Sequence, residues 1–473
     1  MLDRVYDPAM LPLGEALTYD FGPIEALRRW PAGLPVVMLH SGRFHPEWSR
    51  YSLLAPPTGA LVYERGRSRW VGAAAAEGRK CCHDPFADLE AVTSADAGAF
   101  YVGYLGYDLG REVECLASTA VDDHGWPDMQ FQRCAGGYLY DHAAGRWWRV
   151  GLPAADLPDL STPGGGGGGG GGSAVFAAGL PRPDRYRRDH EAAVGRALDY
   201  IAAGDVFQVN LAQRFTGRFE GSTRAVYAAL ARQSPAWYGC YLEMLADAVG
   251  GDSPADTSSE AATVQHVMAG TSPELFLALE PSGEVLTRPI KGTRPASVDP
   301  CQLRDSAKDT AELNMIVDLL RNDLGRVCGY GSVRVIQPRT IESHPTVHHG
   351  VATVAGRLRP DRSLADLLRA TFPGGSVTGA PKVRAMQIIE ELEPCRRGPY
   401  CGAAGLIGFD DGRPFAKLNL TIRTLLLDRR QKTVRFSVGG GIVADSDPAA
   451  EYEETLDKAA ALRATLGDQR AVP

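Results

Sequence analysis

Glu284-Val285-Leu286-Thr287-Arg288-Pro289-Ile290-Lys291-Gly292-Thr293 is the stretch on which the reading of this chain turns. Glu284 to Arg288 alternates and is rich in strand formers, and Gly292 permits the tight backbone that a small anionic substrate needs nearby. A lysine at the end of such a strand is held in place, which makes Lys291 a candidate nucleophile. Taken alone the signal is weak, because most lysines are solvated surface charges.

Outward from this segment, strand-like runs recur around Gln208 to Phe215, Gly350 to Val354, Leu420 to Leu426 and Thr433 to Val438. Helical patterns intervene. Ala385, Ile388, Ile389 and Leu392 trace one face of an amphipathic helix, with Pro381 near its first turn. If Glu451 to Leu466 is helical, Glu451 and Glu454 share a face, while Glu312 belongs to another helix running to about Asp323. Carboxylates from two helices then meet, a donor set that suits Mg2+, which takes few protein carboxylates and completes its shell with water and substrate oxygens.

The remainder of the chain bounds the answer. Its 473 residues, 44% of them hydrophobic, allow a large core in two to three domains or one elaborated one. A net charge of -7 offers no basic footprint for nucleic acid, and no run approaches the roughly 20 apolar residues of a membrane span. The N-terminus has no basic patch leading into an apolar core, so a cytoplasmic enzyme is expected. Nine cysteines without a Cys-x-x-Cys pair read as reduced thiols, and Cys81-Cys82-His83 has no second cluster at zinc spacing. Residues 1-163 form an N-terminal region of short strands and turns, 164-184 a linker opened by the glycines Gly164 to Gly172, and 185-466 a catalytic domain. The glycine run lacks the Gly-Lys-Ser/Thr ending of a phosphate loop. A second low-complexity patch, Gly250 to Ala262, reads as a long hairpin loop.

Several further motifs follow in order: Ala307-Lys308-Asp309-Thr310-Ala311-Glu312, Asp318-Leu319-Leu320-Arg321-Asn322-Asp323, and Pro373-Gly374-Gly375-Ser376-Val377-Thr378-Gly379-Ala380-Pro381-Lys382. Gly439-Gly440-Gly441-Ile442-Val443-Ala444-Asp445-Ser446 and Glu451-Tyr452-Glu453-Glu454-Thr455 complete the set. In this order and spacing they resemble the chorismate-utilising enzymes, the family of anthranilate, aminodeoxychorismate, isochorismate and salicylate synthases. The resemblance implies an α/β (α+β) fold of the anthranilate synthase component I type, with two mixed sheets packed face to face and helices outside.

Two positions choose among members. Anthranilate synthases carry alanine at the place of Lys291, and the hydrating members carry a lysine base where Gln208 stands in Phe207-Gln208-Val209-Asn210-Leu211. A glutamine cannot deprotonate water, so the pair Gln208 and Lys291 resembles the aminodeoxychorismate branch, which aminates chorismate on the way to 4-aminobenzoate and folate. Anthranilate synthase is the competing reading, and a non-catalytic tryptophan-binding relative a more distant one.

The resemblance also assigns roles. Glu274 matches the acid that protonates the departing hydroxyl; Glu312, Glu451 and Glu454 match Mg2+ positions; Thr293, His349, Tyr400, Arg423, Gly439 and Gly441 match substrate-binding positions. Ammonia is expected from a glutamine amidotransferase partner, since the chain has no Gly-x-Cys-x-Gly nucleophile elbow of its own. Ser41, Trp48, Ser49, Arg50 and Tyr51 resemble the place where relatives hold tryptophan, although the Trp237-Tyr238 side departs from that pattern.

Overall fold

The computed structural model describes residues 11, 13-72, 81-96, 98-151, 157-161, 176-246, 263-344 and 347-467. The glycine run and the 250-262 patch lie outside the described residues. Two large sheets dominate, one of 13 strands and one of 11, and every ladder between described strands runs antiparallel. Mixed sheets were expected. The difference follows from the connections: strand after strand returns directly on its neighbour, as in Tyr238–Ala246 with Thr263–Ser272 and Ala403–Asp410 with Arg413–Leu420, whereas parallel neighbours need long crossovers.

Both sheets draw strands from each side of the glycine run. Val37–His40 pairs with Tyr238–Ala246 in the larger sheet, and Phe100–Leu105 pairs with Ala403–Asp410 in the smaller one. Phe176–Ala178 and Arg182–Pro183, placed in the linker by sequence, pair with the long strand Gln208–Gly221. The sheets face each other across a core in which Val37, Leu53, Leu242 and Met268 from one meet Phe100, Val102, Ala404 and Phe415 from the other. A second core joins the helices Arg187–Ala202, Ala307–Gly325, Leu364–Thr371 and Lys382–Leu392 to the strands. Burying such residues contributes about 1.5–3 kcal/mol each relative to exposure, so the sandwich is the main source of stability.

Most segments expected as strands or helices are present and longer than expected. Gln208–Gly221, Val347–Arg357 and Thr433–Ile442 each extend the anticipated run, and the helices are Ala307–Gly325 and Pro448–Gly467. Pro381 caps the Lys382–Leu392 helix, where its fixed φ costs nothing. Leu420 to Leu426 is the exception. Instead of one strand there are two, Arg413–Leu420 and Thr424–Asp428, and they belong to different sheets. The chain breaks between them at Arg423, whose φ of 52° lies in the left-handed region.

Candidate active site

Two crossings between the sheets build the site. Thr263–Ser272 lies in the larger sheet and Leu275–Leu279 in the smaller, so Glu274 sits on the first crossing, as Arg423 does on the second. The crossings are bound to each other: the Thr271 amide donates to the Arg423 carbonyl at 3.1 Å, and the Leu420 amide to the Glu274 carbonyl at 3.0 Å. Lys291 comes from the smaller sheet, on the strand Ile290–Pro295 that starts after Pro289. Gly292 has a φ of 81° there, and a Cβ on it would fall 2.7 Å from Leu303 Cδ1, so the conformation and the space both call for glycine.

Across from Lys291 lie Gln208 and the glycines Gly439 to Gly441, which sit inside the strand Thr433–Ile442. A Cβ on Gly441 would stand 3.1 Å from the Gln208 side-chain amide and 3.2 Å from Lys291 Nζ, so both side chains crowd the same point. Gly440 faces the other way, and its Cβ would meet Glu451 Oε2 at 2.9 Å and Glu454 Oε1 at 3.8 Å. The two faces of this strand thus meet the lysine on one side and those glutamates on the other.

The electrostatics suit a nucleophile and an acid. Burial lowers the Lys291 pKa and favours the neutral amine, opposed in part by Glu312 and Glu274. Burial raises the Glu274 carboxyl to about 7, although Ser376 donates to it at 2.6 Å and Lys291 and Arg423 pull the other way. A carboxyl raised this far keeps a substantial protonated fraction near neutral pH. Burial also lowers the Arg423 pKa, and among the described residues its guanidinium has no hydrogen-bond or ion-pair partner. A planar fork left open in this way suits an incoming carboxylate. Thr293 Oγ1 lies 2.9 Å from His349 Nδ1, and burial together with Arg423 keeps that imidazole neutral. His349 Nε2 is buried and has no hydrogen-bond partner among the described residues.

Burial raises Glu312 and Glu451, and Glu454 adds repulsion to both. Glu454 itself lies below the usual range, because Lys458 at 2.6 Å outweighs its burial. Among the described residues no three acidic, histidine or cysteine side chains close around one point. The donor chemistry nevertheless fits Mg2+: the three carboxylates offer hard oxygens that repel one another, and this cation completes its shell with substrate and water oxygens.

Tyr400 connects to this cluster through Arg397, which donates to the Asn210 carbonyl at 2.9 Å. It is buried beside Arg397, which is paired with Glu393 at 2.6 Å, and it lines a small cavity with Gln213 and Ser437. Among the five N-terminal residues, the side chains of Ser41, Ser49 and Arg50 are engaged within the fold. Ser41 Oγ donates to the Tyr51 carbonyl, Ser49 Oγ to the Trp237 carbonyl, and Arg50 clamps Asp141. The Arg288 guanidinium stacks 3.8 Å above the Trp48 ring. Sequence reasoning did not single out Lys458 or the Arg397–Glu393 pair. Ser376 fell inside a quoted motif without a role, because contacts between distant segments have no local signature.

The whole arrangement matches known proteins. The family model for chorismate binding enzymes aligns with residues 73–464, and the chain belongs to that family. Within it, the chain is 35% identical over 472 residues to aminodeoxychorismate synthase component 1 of Klebsiella aerogenes, covering 95% of this chain and 97% of that protein. It is 38% identical over 382 residues to anthranilate synthase component 1 of Thermus thermophilus, 76% of each chain. The solved anthranilate synthase component I of Streptococcus pneumoniae superposes with a TM-score of 0.68 at 28% identity, covering 89% of this chain and 93% of that one.

Proposed function

We propose that this chain aminates chorismate to 4-amino-4-deoxychorismate, as the first component of a synthase. The observation that carries the reading is the meeting of Lys291 with Gln208 at Gly441, with the buried Glu274, its carboxyl raised to about 7, as the acid. The likeness to aminodeoxychorismate synthase component 1 along nearly the whole chain supports it.

Arg423, His349 and Thr293 bind and orient the substrate. The neutral amine of Lys291 forms a bond to ring C2, both ring double bonds shift one position round the ring, to C1=C6 and C4=C5, and the C4–O bond breaks. Glu274 gives its proton to the departing hydroxyl, which leaves as water; such proton transfer contributes roughly a hundredfold or more. Ammonia then adds at C4, both double bonds shift back, and the C2–N bond breaks so that Lys291 leaves with its electron pair. Glu312, Glu451 and Glu454 would hold Mg2+, which anchors a substrate carboxylate when bound.

The ammonia comes from a glutamine amidotransferase partner, and the product feeds 4-aminobenzoate and folate synthesis. A cytoplasmic setting fits the nine unpaired cysteines. Among the described residues no helix is long and apolar enough to cross a membrane. A tryptophan pocket at Ser41, Trp48, Ser49, Arg50 and Tyr51 is carried forward as a further proposal, with thermal stabilisation by added tryptophan as its check.

The deciding experiment incubates the purified chain with chorismate, Mg2+ and an ammonium salt, with and without an aminodeoxychorismate lyase. A product that the lyase converts to 4-aminobenzoate supports the reading. Fluorescent anthranilate formed without the lyase would assign the chain to the anthranilate branch, to which its Thermus relative is named.

A further inference from the structure

Gln208 is fully buried, and among the described residues neither its Oε1 nor its Nε2 has a hydrogen-bond partner. Two residues along the same strand, Asn210 is 8% exposed and its Oδ1 is likewise unpartnered. Leaving one such buried group unsatisfied costs about 1–3 kcal/mol, so adjacent orphans on one strand face call for a ligand. The alternation of a strand puts both amides on the same face, and Asn210 stands opposite Gly441 in the ladder, the glycine whose Cβ would point at Lys291 Nζ. A Cβ on Gly439, the next position on that face, would come within 3.0 Å of Asn210 Oδ1.

The strand that carries these amides is fixed from both sides. The Asn210 amide donates to the Thr378 carbonyl at 2.7 Å, and its carbonyl accepts from Arg397 Nη2 at 2.9 Å. The orphans are two acceptors, Asn210 Oδ1 and Gln208 Oε1, and one donor, Gln208 Nε2; a carboxylate meets only the donor, and Arg423 already offers one a better partner, whereas a ligand with N–H groups and a lone pair meets all three. The matching ligand is small and rich in N–H.

We propose that Asn210 Oδ1, together with Gln208 Oε1, seats the incoming ammonia, making Asn210 a positioning residue for the nitrogen nucleophile. The inference rests on the amination reading. It assigns to Asn210 the affinity for ammonia and leaves the affinity for chorismate to Arg423, His349 and Thr293.

The test is steady-state kinetics of the full chain with ammonium chloride as nitrogen source, varying ammonium and chorismate separately. Asn210→Leu is expected to raise the KM for ammonium about tenfold, the value of one hydrogen bond to a buried group, and to leave the KM for chorismate within about twofold. Asn210→Asp keeps the acceptor and is expected to hold the ammonium KM at or below that of the unmodified chain, a rescue that a merely structural role would not produce. The Asp variant also covers the case in which the Leu variant folds poorly, since a raised ammonium KM for Asp with an unchanged melting temperature overturns the seat. An unchanged ammonium KM in the Leu variant, or a rise confined to chorismate, overturns it as well. An unmodified chain that forms no aminated product refutes the amination reading itself, and the seat falls with it.

Discussion

Replacing Glu274 by glutamine should stabilise the protein above neutral pH while removing most of its activity. The carboxyl is 5% exposed and its pKa is raised from 4.5 to about 7. An acid with a raised folded-state pKa contributes stability that is complete below the unfolded pKa and is lost as pH rises through the folded one. Between about pH 4.5 and pH 7 the unfolded chain ionises first, so stability falls across that window and levels off above it. A shift of about 2.5 units corresponds to about 3 kcal/mol. With an unfolding entropy of about 1 kcal/mol/K for a chain of this length, the gap is about 3 °C in Tm. Thermal melts of both proteins from pH 4.5 to 8.5 are the assay, with the difference expected to grow from near zero to its full value by about pH 8. Amination should drop at least a hundredfold in the same variant. Parallel Tm profiles for the two proteins would refute the claim that burial holds this proton.

Three other outcomes are expected. Gly441→Ala puts a methyl group 3.1 Å from the Gln208 amide and 3.2 Å from Lys291 Nζ, and should cut kcat at least tenfold with little change in Tm. Arg423→Gln should raise the KM for chorismate about tenfold or more, the loss of a charge-assisted pair, and lower the enzyme's response to salt. Arg224→Leu removes the partner of Glu243, paired at 2.9 Å and 4% exposed, and strips three backbone carbonyls near Trp30 of their donor; a loss of about 3–5 kcal/mol in chemical denaturation should follow, with KM values unchanged in what still folds.

Legibility in the sequence tracked how local each feature is. The strands around Gln208 and Gly350 announce themselves by composition, and the helix bearing Ile388 and Leu392 by periodicity, because burial of one face imprints a pattern on neighbouring residues. Leu420 to Leu426 misled because an apolar run reads the same whether the chain stays in one sheet or crosses to another. The only mark of the crossing is the left-handed Arg423, a conformation that arginine does not advertise. Lys291, Glu274 and Gln208 were legible as residues through the motifs around them. Their meeting was not, since it depends on pairings such as Asn210 with Gly441 that join segments more than 200 residues apart. Ser376 beneath Glu274 and Lys458 beside Glu454 stayed hidden for the same reason.

Lys291 stands on one sheet and Gln208 with the glycine strand on the other, so the gap across which they face is set by how closely the two sheets pack. The sandwich therefore works as a calliper: its jaws are the sheets, and its stop is the layer of side chains between them. Residues such as Val102 and Met268, far from any reacting atom, become part of the gauge. Change their bulk and the opening changes at the far end, in a protein whose reacting groups have not been touched.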